Sequence, residues 1–424
     1  MTLYKNKFSE NLLVITFILL FALLSTKYKL QYSEAFRPLY SAGLALSFLS
    51  FFWLLVSRKY SRQFVVRIAS QPQFFLFLSL IIYMMIVSLH TSYMVDGRQI
   101  KDALYFSSWV VIIPLYPLIF SSKRVNPAEI VYLISKATLI FSIFSILMAC
   151  LIFFNILNIQ ILGVDFSQSI YLKNRIHGLL GESTALAALI VLSVFSLYYI
   201  NQYKNKSYKA LYLLLLIFII FTGSRNALVS LIAVYFTSTV IERINLRKMF
   251  KAVIYLCLIV TIFVIVFFTT DYLDFIKVVF FDRPDLDLDN KFSRLYIWST
   301  VFQKLSNSSA FEFLFGHGAY ELRRVFGAGF NTVLELTYDY GLLATIVYFL
   351  VLILSFYTGL KKYKNTGYIF YKYGILLITY GFVFSMFMSY FPTTMFNFSV
   401  FSLVFGILIT CTPSQMIKTP PKFM

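Results

Sequence analysis

Arginines, acids and histidines gather in this chain where long apolar runs end. Arg175-Ile-His-Gly178-Leu-Leu-Gly181-Glu182-Ser183 precedes one run, and Thr222-Gly-Ser-Arg225-Asn226 joins two others in a turn so tight that Arg225 must lie at a membrane boundary. Asn331-x-x-Leu-Glu335-x-x-x-Asp339-x-Gly341 opens a third. Its Asn331, Glu335 and Asp339 recur at i, i+4 and i+8, which on a helix makes one polar stripe facing a cavity rather than lipid. Ionisable groups at membrane depth are costly, so each place is a functional candidate by default. Arginine suits phosphate, because its planar fork binds two oxygens and never deprotonates. A nearby carboxylate or histidine can take the proton of an attacking hydroxyl. Each place also has a plainer reading: Arg175 and Arg225 could snorkel to lipid headgroups, and the stripe could join helices by hydrogen bonds.

The elements that must position these groups are apolar helices. Of 424 residues, 59% are hydrophobic and 13% charged, with mean hydropathy +0.78, whereas a soluble domain carries about 25% charged residues. Candidate spans lie near 9–26, 39–57, 73–90, 102–120, 130–155, 182–201, 210–222, 226–241, 252–270, 335–358, 373–391 and 395–411. The expected class is therefore all-α: a polytopic integral membrane protein of about twelve spans, each matched to about 30 Å of hydrocarbon. The run at 210–222 is short for a span. No small-x-small cleavage site follows the first run, which reads as a retained helix. The expected organisation is nine spans over 1–270, one long outer loop over 271–334, and three spans over 335–424. Cys150, Cys257 and Cys411 all fall inside predicted spans, which suggests neither a disulfide nor a thiolate metal site.

The net charge of +19 first suggests a nucleic-acid binder. Sorting charges by side removes that reading. With a cytoplasmic N-terminus, basic residues such as Arg58, Lys59, Lys204, Lys206, Lys209, Lys361, Lys362 and Lys372 fall inside, against only Glu10, Glu129 and Glu242. The whole excess is cytoplasmic and the outer face is neutral, which is the positive-inside bias. Both termini are then cytoplasmic. The outer side holds nearly all the acids and all three histidines, His90, His177 and His317, so chemistry belongs there. The short basic inner loops contain no glycine-rich phosphate loop, so the chain does not hydrolyse ATP by itself.

The outer loop opens with Asp282-Arg-Pro-Asp285-Leu-Asp287-Leu-Asp289, which lacks the glycine and terminal glutamate of an EF-hand and reads as a solvated turn. In Lys291-Phe-Ser-Arg294-Leu-Tyr-Ile-Trp298-Ser-Thr-Val-Phe302 the apolar Leu295, Trp298 and Phe302 recur at helical spacing, predicting an amphipathic helix on the membrane surface. Phe315-Gly-His-Gly318 and Glu321-Leu-Arg323-Arg324 follow. The glycines flanking His317 predict a tight turn, in which the ring could simply hydrogen-bond the backbone.

Taken in order, Arg-x-x-Gly-x-x-Gly-Glu, Thr-Gly-Ser-Arg-Asn-Ala-Leu, Ser-Arg-x-x-x-Trp, Phe-Gly-His-Gly and Asn-x-x-Leu-Glu over residues 170–360 resemble the O-antigen polymerase and ligase superfamily. These are GT-C-like glycosyltransferases of the bacterial inner membrane. The resemblance implies a saccharide donor on undecaprenyl pyrophosphate, presented in the outer leaflet on the periplasmic side. The glycan passes to an acceptor hydroxyl and the polyprenyl pyrophosphate leaves. No metal constellation is visible, so the leaving group must be neutralised by protein cations. Arg225 and Arg294 are the expected catalytic cations and Glu182 the favoured proton acceptor. Arg175, His317, Arg323, Arg324, Asn331, Glu335 and Asp339 are the expected substrate contacts, with no cofactor. In the ligase branch a histidine precedes the Asn-x-x-Leu motif, and here that position is Phe330. A phenyl ring holds no proton, which favours a polymerase of repeat units, with a chain-length regulator as a further partner. A ligase, or a flippase or secondary transporter, remains as the alternative. Against a transporter, the spans are largely uncharged at mid-depth and the polar groups gather at outer ends.

Overall fold

The computed structural model describes residues 71–92, 113–120, 126–153, 156, 183–242, 294–319, 321–326, 331–387 and 395–409. Among these there is helix and loop but no strand. The helices are α1 (Pro72–Ser92), α2 (Leu115–Phe120), α3 (Pro127–Phe153), α4 (Ser183–Lys204), α5 (Lys209–Phe221) and α6 (Arg225–Ile241), then α7 (Arg294–Ser306), α8 (Ala310–Phe315), α9 (Glu321–Phe326), α10 (Thr332–Thr366), α11 (Ile369–Phe387) and α12 (Met395–Ile409). Among the described residues four stretches are long and apolar enough to cross a membrane: Pro127–Leu151, Leu186–Lys204, Thr332–Thr366 and Ile369–Met386. The apolar runs read from the sequence between 73 and 90, 130 and 155, and 182 and 241 coincide with α1, α3, α4, α5 and α6. The runs at 9–26, 39–57 and 252–270 lie outside the described residues.

α5 is short for a physical reason. Its 13 residues rise about 20 Å, well under the roughly 30 Å of a hydrocarbon core. Gly223, at φ 60°, then turns the chain directly into α6, which has 17 residues.

The helices pack through small residues and tyrosines whose hydroxyls find carbonyls. Tyr380 donates to Ala188 O at 3.0 Å and Tyr199 to Ala128 O at 3.1 Å, tying α11 to α4 and α4 to α3. Gly359 and Gly374 sit where a Cβ would come 2.8 Å from Ile375 and 2.9 Å from Ile407, so glycine lets α10, α11 and α12 approach closely. Phe77, Phe401 and Phe405 form a ring cluster between α1 and α12.

At one end of the bundle Lys372, on α11, is fully buried and pairs with Glu242, the C-cap of α6. Its ammonium also donates to the Tyr198 hydroxyl of α4 at 2.7 Å. Breaking a buried pair strands a charge. Glu242 keeps 28% of its side chain exposed, so the loss is screened. Glu242→Ala is expected to destabilise the bundle by roughly 1–3 kcal/mol. The pair Glu242→Gln with Lys372→Met is expected to recover most of that. Thermal melts in one detergent check both, and equal melts for Glu242→Ala and wild type would refute it.

α10 is not one helix. Gly341, at φ 85° and ψ 168°, breaks it after nine residues. A break frees carbonyls that the next turn would have paired. Tyr338 O instead accepts the His317 N–H at 2.9 Å and Asp339 O accepts the Gly318 N–H at 3.0 Å. The Tyr83 hydroxyl of α1 shares its proton between Tyr340 O at 3.0 Å and Phe315 O at 2.7 Å. Non-helical backbone at membrane depth is tolerated where protein satisfies it in this way.

Candidate functional site

Arg225 begins α6 and follows Ser224, whose backbone is extended as an N-cap requires but whose side chain makes no capping bond. Ser224 is 3% exposed, and its Oγ has no hydrogen-bond partner among the described residues. The Arg225 Nη2 is likewise buried without a partner among them. Thr222 beside it is fully buried and donates to Ile219 O at 2.6 Å. A helix N-terminus presents N–H groups and a positive dipole end. Here it adds a guanidinium Nη2 and a hydroxyl that meet no hydrogen-bond partner among the described residues. Such a cluster can hold a phosphate or carboxylate.

Arg225 shares its end of the bundle with α10's opening turn. From the Lys372–Glu242 pair, α6 runs 17 residues back to Arg225 and α11 runs on to Met386, distances of about 25 and about 21 Å. Met386 O accepts the Asn331 Nδ2 at 2.8 Å. Arg225, Met386 and Asn331 therefore lie at nearly one level, on three adjoining helices.

The expected stripe is only partly a stripe. Asn331 stands outside the helix as its N-cap, its Oδ1 accepting from Val333 N at 2.9 Å and Leu334 N at 3.2 Å. Glu335 and Asp339 are on the helix and 1% and 3% exposed, turned away from lipid. The Asp339 Oδ1 accepts the Leu322 N–H of α9 at 2.8 Å. It thus caps, across space, the short helix that bears Arg323 and Arg324. The side chains of Arg323 and Arg324 lie outside what is described, as do Arg175 and Glu182 altogether.

Asp339→Ala removes that cap, an effect of about 1 kcal/mol, while Asp339→Asn keeps an acceptor oxygen. Trypsin cleavage after Arg323 and Arg324 is expected to accelerate severalfold in the alanine variant and little in the asparagine variant. Unchanged cleavage in both would show that Asp339 does not hold α9.

His317 sits in the tight turn foreseen from its glycines, Gly316 at φ 90° and Gly318 at φ 121°. Its ring lies flat on Tyr338 at 4.3 Å, with Nδ1 3.1 Å from Tyr338 O and Nε2 2.9 Å from Ser308 Oγ. Nδ1 thus meets a carbonyl of α10 and Nε2 a hydroxyl of the loop, so both nitrogens have partners within the protein.

Arg294 opens α7, and the helix predicted there is present. A face one residue out of phase with the Leu295–Trp298–Phe302 spacing is buried in the protein. Ile297, Val301 and Leu305 turn inward onto Leu322 of α9 and Leu334 and Tyr338 of α10. Trp298 packs partly against this cluster and Phe302 is exposed. Arg294 is thereby held on α10's first half, at the same end as Arg225. Among the described residues no group of three His, Cys, Asp or Glu side chains stands ready to hold a metal.

Sequence reading overlooked Ser224, whose only signal was its place before Arg225, and Tyr83, one of 31 tyrosines with nothing to mark it. No family model matches the chain, and no curated protein matches it.

Proposed function

We propose that this protein is a membrane glycosyltransferase that polymerises undecaprenyl-pyrophosphate-linked oligosaccharide repeat units into a surface polysaccharide, O-antigen or capsule. It would act on the periplasmic side of the bacterial inner membrane, within about twelve spans and with cytoplasmic termini. The observation that carries the reading is the buried, unengaged Arg225 Nη2 beside the Ser224 hydroxyl at the N-terminus of α6. In this reading α5 places that turn about 10 Å short of the outer hydrocarbon edge. A lipid pyrophosphate, anchored by its own chain in the same leaflet, would reach such a recess readily.

The transfer needs three things. The acceptor hydroxyl attacks the anomeric carbon, the glycosidic bond forms, and the bond from that carbon to the pyrophosphate oxygen breaks. Arg225, aided by Ser224 and the helix end, would take the charge that develops on the pyrophosphate. A carboxylate takes the hydroxyl proton, and Glu182 is proposed for it, with Glu335 buried on the same side as the second candidate. Arg294 and the arginines of α9 would bind the remaining glycan or phosphate oxygens, with Arg175, His317, Asn331 and Asp339 shaping the site. The pairing of Lys372 with Glu242, both assigned inside by charge, accords with the sidedness used.

A complementation test in a strain lacking its own polymerase checks the reading. Wild type is expected to restore a ladder of repeat lengths. A surface that stays at a single repeat unit at full membrane abundance would refute polymerisation. A deletion strain with no repeat unit at all at its surface would point to the flippase or ligase.

A further inference from the structure

α8 has no buried residue, although four of its six side chains are large and apolar. Phe311 is 70% exposed, and Phe313, Leu314 and Phe315 are exposed as well. Solvent-exposed aromatic clusters of this density are rare on a soluble surface. Two features fix where the cluster points. The Tyr83 hydroxyl holds Phe315 O against α1, and Gly341 of α10 lies so close that a Cβ there would come 2.2 Å from Leu314 O. α8 is therefore pressed into the notch between α1 and α10. The outward faces of those two helices carry Ile82 and Ile86, and Leu343, Ile346 and Leu350, all exposed. The aromatic cluster adjoins those faces where α8 meets Tyr83 of α1 and Gly341 of α10.

Its level follows from α10. From Gly341 to Lys361, the first cation at the far end, the helix runs 20 residues, about 30 Å, which matches the hydrocarbon thickness. α8 then lies at the outer edge of the hydrocarbon, where aromatic side chains concentrate. Glu312 limits how deep it sits. Its carboxylate accepts from the Ser309 N–H and hydroxyl in a capping box. The Ser309 N–H, with the hydroxyl second, holds it below the usual carboxylate range, so it stays ionised and keeps that end of α8 among headgroups.

We infer that α8 is an interfacial lipid anchor: Phe311, Phe313, Leu314 and Phe315 sit among the outer-leaflet acyl chains and fix the height of the α7–α9 assembly on the membrane. The inference rests on α10 being a span and is independent of the transfer reaction. On α7 the face of Ile297, Val301 and Leu305 is spent on the protein, so the exposed aromatic residues of α8 are a separate apolar surface.

Spin labels test it in full-length protein with Cys150, Cys257 and Cys411 changed to serine, reconstituted in phosphatidylethanolamine–phosphatidylglycerol vesicles. Labels at Phe311→Cys and Phe315→Cys are compared with Leu350→Cys as a lipid-facing reference and the exposed Asn307→Cys as an aqueous one. The positions on α8 are expected to favour oxygen over a water-soluble nickel chelate severalfold, as position 350 does. Nickel access at 311 equal to that at 307 would overturn the anchor. Exclusion of both reagents would overturn it too, showing a protein partner or a second copy over α8. Should a label perturb folding, an apolar carbene reagent on the unlabelled native chain gives the same answer, by whether the 310–315 peptide is modified.

Discussion

Gly341→Ala is expected to disable the protein and to loosen its outer assembly, with a loss of roughly 3–5 kcal/mol from strain and overlap together. Two causes act at once. At φ 85° and ψ 168° the backbone is in a region that essentially only glycine occupies. The added Cβ would also meet backbone, not a movable side chain: Leu314 O at 2.2 Å and Phe315 C at 2.6 Å. Gly316 is the reciprocal half of the contact, where a Cβ would come 2.3 Å from Asp339 O. Relief requires α10 to straighten or α8 to withdraw. Either releases the Tyr338, Asp339 and Tyr340 carbonyls from His317, Gly318 and Tyr83. Gly367→Ala is the control, since that residue is also at positive φ, 70°, but nothing lies within 4 Å of its Cβ position. It is expected to lose only about 1 kcal/mol. Melting in detergent and tryptic release of the 294–326 region compare the three. Equal behaviour of Gly341→Ala and Gly367→Ala would show that the close approach is unimportant.

Arg225→Ala is expected to lower transfer by about 10²- to 10³-fold, the usual effect of removing one preorganised donor from a developing anion. Stability should hardly change, because the Nη2 makes no hydrogen bond among the described residues that the substitution would break. Arg225→Lys keeps the charge but not the fork, and is expected to recover only part of the loss. The fall should appear mainly in kcat, since the charge on the pyrophosphate grows as the bond breaks. Ser224→Ala, which removes the neighbouring hydroxyl, should give a smaller decrease in the same parameter. A wild-type rate in Arg225→Ala at equal abundance would remove the arginine from the chemistry. An aggregated or missing protein would show instead that the residue serves folding.

Much of the helical frame was legible because hydrophobic period and length follow from burial in lipid. The runs around α3, α4 and α11 fall where composition puts them, and the tight turns at Thr222–Arg225 and Gly316–Gly318 were signalled by glycine. The break in α10 was not legible. Gly341 was noted only as the end of a motif, because a lone glycine in an apolar helix more often serves packing, as Gly359 does, than a bend. On α7 the spacing of Leu295, Trp298 and Phe302 was legible, but the adjacent face of Ile297, Val301 and Leu305 was not, because Leu322, Leu334 and Tyr338 meet it only in three dimensions. Asn331, Glu335 and Asp339 were read as one helical stripe, whereas Asn331 stands outside the helix as its N-cap. The support that Asp339 gives α9 runs to Leu322, 17 residues back, and Asn331 reaches Met386, 55 residues on, and no periodicity names either partner.

The central claim is most directly tested with purified protein in proteoliposomes, given a synthetic undecaprenyl-pyrophosphate-linked repeat unit and no nucleotide. The account predicts lipid-linked products of two, three and more repeats, with one polyprenyl pyrophosphate released for each bond formed, and loss of both in Arg225→Ala. Unaltered single repeats at full substrate occupancy, or movement of the lipid between leaflets without any new glycosidic bond, would contradict it.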